Sequence, residues 1–142
     1  MSDLTAKAPR TPRNIEEPSP EVDAIAHAVI GAALEVHRIF GPGYLESVYE
    51  ESLAIEFKPQ NISFEQQKPL GLNYKGHSVG EHRLDFLVGQ KLVVELKAVD
   101  SIAPVHKAQV ISYLKSTGLN LGLLINFNVE LLKNGIQRIV LS

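Results

Sequence analysis

The sequence predicts a mixed α/β domain in which two helices precede three meandering antiparallel strands, followed by a helix and two more strands. Three observations predict it. Apolar residues recur at three- and four-residue steps over residues 21–40, the period of a helix with one buried face. From Ile62 the period shortens to two, as in strands. A leucine-rich run over residues 121–127 has the apolar continuity of a strand buried on both faces.

The bulk numbers narrow the classes. A chain of 142 residues with 44% hydrophobic and 21% charged residues suits one domain with a real core. The absence of cysteine removes disulfides, thiolate nucleophiles, iron–sulfur clusters and cysteine zinc sites, and fits a cytoplasmic protein. No apolar run reaches the length of a membrane helix, and the N-terminus lacks a signal-peptide pattern, so no membrane partner is expected. The net charge of −2 argues against gripping nucleic acid by charge alone.

Residues 1–20 carry four prolines and no periodicity and read as a disordered tail, leaving residues 21–142 as the domain. Ile25, Val29, Ala32, Val36 and Phe40 make the buried stripe of the first helix, which Gly41-Pro42-Gly43 ends. His37 reads as a capping or solvated histidine near that end. A second helix spans Tyr44 to about Phe57, with Leu45, Val48, Tyr49 and Ser52 toward the core. Three strands follow, bent or at an edge near Pro69 and turning at Lys75-Gly76 and Gly89. Ser101-Ile102-Ala103-Pro104 opens a helix that Gly118 closes. Asn134-Gly135 turns the chain into a last strand over 136–141.

The informative stretch runs from Glu81 to Ala98. Asp85 sits inside one apolar run, and Glu95-Leu96-Lys97 sits inside the next. Charges in such strands are paired or bind something. Glu95 and Lys97 share a face because side chains alternate. A two-residue turn would send Asp85 to the opposite face. A three-residue loop of Gly89, Gln90 and Lys91, or a bulge, pairs Asp85 with Glu95 and gathers the three charges. Two carboxylates and an ammonium suit a hard divalent ion, which lowers the pKa of water and offsets phosphate charge. Taken alone, the same triplet fits a structural salt bridge better, Asp85–Lys97 or Glu95–Arg83.

The wider pattern resembles the PD-(D/E)XK nuclease superfamily, whose core is a helix, three meandering strands, a helix and a further strand. Asp85 matches its metal aspartate and Glu95-Leu96-Lys97 its E-x-K. Gln109-Val110-Ile111-Ser112-Tyr113 is similar to the Q-x-x-x-Y element of the RecB-like and lambda-exonuclease-like branch. Gly43-Tyr44-Leu45-Glu46-Ser47-Val48-Tyr49 matches the signature of the small GxxExxY proteins in that superfamily. Each motif is weak alone, and their order and spacing together are more specific.

The resemblance implies a nuclease that hydrolyses phosphodiester bonds with Mg²⁺ or Mn²⁺. Asp85, Glu95, the Leu96 carbonyl and Glu46 would hold the metal, and Lys97 would serve the attacking water. Gln109 and Tyr113 would orient substrate. Arg83, expected on the face of Asp85, would hold that aspartate or a phosphate. Parity puts His82 on the opposite face. His106 and Lys107 read as solvated. The implied partner is nucleic acid, DNA ahead of RNA, with a protein partner or a homodimer besides. The acidic balance, few expected exposed aromatics and Leu84 in place of the proline before Asp85 keep a second reading open. In that reading the same fold is a non-catalytic module binding nucleic acid or protein.

Overall fold

The computed structural model describes residues 18–141. Most of the expected tail, residues 1–17, lies outside the described residues. The elements are α1 (Pro20–Phe40), α2 (Glu46–Phe57), β1 (Phe64–Tyr74), β2 (His77–Val88), β3 (Leu92–Lys97), α3 (Pro104–Thr117), β4 (Leu121–Asn126) and β5 (Ile136–Val140), with a 3₁₀ turn at Leu132–Gly135. The five strands form one mixed sheet in sequence order. Only β3 and β4 run parallel, because α3 forms the crossover between them.

Each helix boundary has a local cause. Ser19 caps α1 by accepting the Val22 N–H, and Pro20 occupies a first-turn position that needs no N–H donor. Gly41, at φ +63°, donates its N–H to the His37 carbonyl and turns the chain away. The left-handed Gly118 ends α3 in the same way. The second helix begins at Glu46 rather than Tyr44, with Leu45 exposed at its cap rather than facing the core.

The sheet separates two cores. Under α1 and α2 lie Val29, Val36, Tyr49, Leu53 and Phe57 with Phe86, Val94 and Leu96 of the strands. Under α3 lie Val110, Tyr113 and Leu114 with Leu84, Leu87, Val93 and Leu124. The buried face of α1 is wider than a single stripe, with Val22, Ala26, Ala33 and His37 added and Phe40 left at the rim. His37 is therefore neither solvated nor a cap. It is buried, and its Nε2 lies 2.8 Å from the Val129 carbonyl.

Strand β1 is an edge strand whose pairing continues through Pro69, which pairs with Arg83. The β1/β2 ladder outruns its neighbour: β3 pairs with β2 only at Phe86–Val88. The outer part of the β1/β2 hairpin therefore stands as a two-stranded arm, exposed from Asn73 to Glu81.

Candidate active site

The β2/β3 ladder pairs Val88 with Leu92, Leu87 with Val93 and Phe86 with Val94. This is the register of the three-residue loop Gly89, Gln90 and Lys91. Positive φ values at Gly89 (+59°) and Gln90 (+60°) make that loop tight. Past Phe86 and Val94 the two strands fork, and side chains replace the ladder. The Asp85 N–H donates to Glu95 Oε2 at 2.8 Å, and the Leu96 N–H donates to Asp85 Oδ2 at 2.8 Å. Each carboxylate therefore holds the strand that carries the other.

The fork also breaks strand parity. Leu84 and Phe86, two residues apart, enter opposite cores, whereas Leu84 and Leu87 share one. On β1, Gln66 pairs with Phe86 and Lys68 with Leu84, while Gln67 between them takes φ +53°. A non-glycine residue at positive φ costs about 1–3 kcal/mol. Here that geometry lets neighbouring side chains reach one partner. The amides of Gln66 and Gln67 both donate to Glu50, and Gln67 also reaches Asp85 Oδ1 at 3.3 Å.

Helix α2 brings further carboxylates. Glu46 is half-buried at its first turn and Glu50 is buried one turn later. Burial pushes the Glu46 carboxyl up, Lys97 opposes the rise, and Glu50 adds to it. Burial is also the main cause at Asp85, raised to about 6, where the Leu96 N–H opposes it and Glu46 and Glu50 add repulsion. Glu95 rises to about 8, first by burial and then by the negative charge of Asp85. At neutral pH such a pair retains a proton that isolated carboxylates would have lost. Lys97, half-buried at the end of β3, favours the charged form of all three groups. It makes no ion pair within 4.0 Å with another described residue.

From the other side, Tyr113 is 4% exposed, and its hydroxyl is pushed up to about 12 by burial and then by Glu95 and Asp85. The His82 ring meets Tyr113 edge-on at 5.5 Å between centroids. The parity argument that sent His82 away from the cluster fails because β2 changes sides at Asp85. Gln109 is half-buried one turn before Tyr113. Arg83 is exposed, donating to the Gln67 carbonyl at 3.1 Å and pairing with Glu81 at 3.3 Å. His106 is not merely solvated, since its Nδ1 accepts the Ala103 N–H at the start of α3.

The sequence reading missed Glu50, Gln67 and Asn126. Glu50 had a signal, because it lies one turn from Glu46. Gln67 had none short of its backbone angle. Asn126 is buried at the end of β4, where its side chain accepts from Val99 and Asn128 and donates to the Val99 carbonyl. It thereby ties the segment after Lys97 to the sheet.

The donor set fits a hard divalent cation. It offers carboxylate oxygens whose raised pKa values record unrelieved burial and repulsion. The Leu96 carbonyl would join them. A strand residue directs its N–H and C=O to the same edge, and the Leu96 N–H points into the fork. Among the described residues, no three acidic or histidine side chains are gathered tightly enough to hold an ion as they stand. The inner oxygens of Asp85 and Glu95 face backbone N–H groups instead.

A mixed five-stranded sheet with helices on both faces, forked at paired carboxylates, is consistent with a PD-(D/E)XK nuclease-like fold. A family model of the PD-(D/E)XK nuclease superfamily matches residues 23–139, and the chain belongs to that superfamily. Membership supports a nuclease-like function and contact with nucleic acid, and such nucleases typically use divalent metals. No curated protein and no solved structure matches the chain. No described helix is long and apolar enough to cross a membrane.

Proposed function

We propose that this chain is a Mg²⁺- or Mn²⁺-dependent nuclease that hydrolyses phosphodiester bonds of DNA, ahead of RNA, at the β2/β3 fork. The observation that carries the reading is the reciprocal pair Asp85–Leu96 and Glu95–Asp85, with Glu46 and Lys97 acting electrostatically on the same carboxylates. Asp85, Glu95, Glu46 and the Leu96 carbonyl would hold the ion, which supplies charge neutralisation at the phosphate and a more acidic water. Lys97 orients the attacking water and offsets charge on the phosphate oxygens. Tyr113 and Gln109 donate to the substrate phosphate or steady the β3 strand. Arg83, at the base of the arm, meets a neighbouring phosphate. We infer the RecB-like branch from Gln109 and Tyr113, and the GxxExxY family from Gly43, Glu46 and Tyr49. A cytoplasmic location and a homodimer or protein partner complete the proposal.

The test is metal-dependent cleavage of single-stranded, nicked and branched DNA, with Glu95→Gln and Lys97→Ala as controls. Loss of cleavage in both variants is expected. Cleavage that survives both would exclude this site. A folded wild type that cuts nothing and takes up no Mn²⁺ at millimolar concentration would leave the fold as a binding module.

A further inference from the structure

Tyr44 and Phe40 lie outside both cores. Tyr44 is 49% exposed and Phe40 36%, and their rings meet edge-to-face at 5.0 Å. Few exposed aromatics were expected, yet these two stand at the end of α1 and on the loop that leads into Glu46. The loop that presents them is tightly tied. Gly43, at φ +106°, donates its N–H to Asn128 Oδ1 at 3.1 Å. The Tyr44 N–H donates to the Tyr49 hydroxyl at 3.2 Å, and that hydroxyl donates to the Gly41 carbonyl at 2.6 Å. The Tyr49 ring stacks on Phe127 at 4.5 Å, and the Phe127 N–H bonds the Lys97 carbonyl at 2.9 Å. A chain of contacts therefore leads from the exposed rings to the strand end that carries Lys97.

We propose that Tyr44, backed by Phe40, is a stacking platform for an unpaired base of the strand that lies across the fork. The proposal rests on the nuclease reading for the position of the cut, but not for the stacking. Its support is continuity. Tyr44 is two residues before Glu46, a backbone span of at most about 7 Å. One strand can therefore bring a base to Tyr44 and a nearby phosphate toward the first turn of α2. A base inside a duplex hides its faces in the stack. Only a single-stranded, frayed or flapped substrate offers one to a protruding ring. Stacking of this kind also suits a chain of net charge −2, since a base–aromatic contact contributes without charge.

The experiment uses a single-stranded oligonucleotide carrying 2-aminopurine, and a blunt duplex of the same sequence, titrated in Mg²⁺ against the full chain bearing Glu95→Gln to prevent cutting. Quenching of the probe is expected on the single strand. Adding Tyr44→Ala should raise the single-strand Kd about tenfold, adding Tyr44→Phe should restore it, and duplex binding should not move. Tyr44 contributes only its backbone to the loop's hydrogen bonds, and Tyr44→Leu with circular dichroism guards against misfolding. No quenching, an unchanged Kd in Tyr44→Ala, or an equal loss on duplex would overturn the platform. Cleavage by the otherwise wild-type chain is scored separately. Tyr44-dependent binding without cleavage keeps the platform and removes the nuclease reading. Cleavage with Tyr44-independent binding does the reverse.

Discussion

Asp85 and Glu95 hold each other's strands rather than each other: one accepts the N–H of Leu96, and the other accepts the N–H of Asp85 itself, both at 2.8 Å. The two carboxylates are therefore part of the sheet's hydrogen bonding and part of the candidate site at once. Glu95→Gln separates the roles, because its amide oxygen still accepts the Asp85 N–H while the charge is gone. It should abolish metal-dependent cleavage and leave circular dichroism unchanged. Asp85→Ala should instead lower stability by about 1–3 kcal/mol, measured by urea denaturation, because the Leu96 N–H is left buried without an acceptor.

The raised carboxylates set the sign of the pH dependence. Asp85 titrates at about 6 against an ordinary 3.8, and Glu95 at about 8 against 4.5. Between these limits the folded chain binds more protons than the unfolded one, so stability falls as pH rises. Without metal, denaturation midpoints should be highest near pH 4–5 and decline to about pH 8. Glu95→Gln should flatten the upper part of that decline. A metal-free protein whose stability rises from pH 5 to pH 8 would contradict the assigned burial.

Mg²⁺ or Mn²⁺ uptake should release protons near pH 7, because the pair must lose the proton it retains. Calorimetry in two buffers of different ionisation enthalpy would read the release directly. Apparent affinity should increase from pH 6 to pH 8, and Glu46→Gln should weaken it. Binding with no buffer dependence would place the ion elsewhere.

Tyr49 illustrates how the loop and the site are joined. Its hydroxyl accepts from Tyr44 and donates to Gly41, so Tyr49→Phe removes two bonds from a fully buried residue. The expected loss is about 1–3 kcal/mol in thermal or urea unfolding. Cleavage should also fall, because the first turn of α2 carries Glu46. Loss of stability without any loss of activity would show that Glu46 does not depend on this clamp.

Periodicity is a good guide where one physical rule dominates. The order of helices and strands and the left-handed Gly118 follow from local spacing and turn chemistry, and the odd Gly89-Gln90-Lys91 loop follows from the need to bring Asp85 beside Glu95. Spacing fails where the backbone departs from regular geometry. Parity assigns His82 to the wrong side because β2 changes face at Asp85. Gln67 gives no sign in its residue type that a positive φ will turn it toward Glu50 and Asp85. His37 is misread for a different reason, since its partner, the Val129 carbonyl, is distant in the chain. No local pattern announces such a contact.

The two-stranded arm beyond the fork has a consequence for how this molecule tolerates change. Its tip, Tyr74-Lys75-Gly76-His77, lies past an irregularity in the ladder at Leu72/Asn73, where the register already shifts. Residues added in matched pairs outside that point would leave the pairing inside it, and hence the alignment of Gln67 with Asp85, untouched. The arm is the natural place to graft a label, an affinity tag or a sequence-reading module without disturbing the carboxylates.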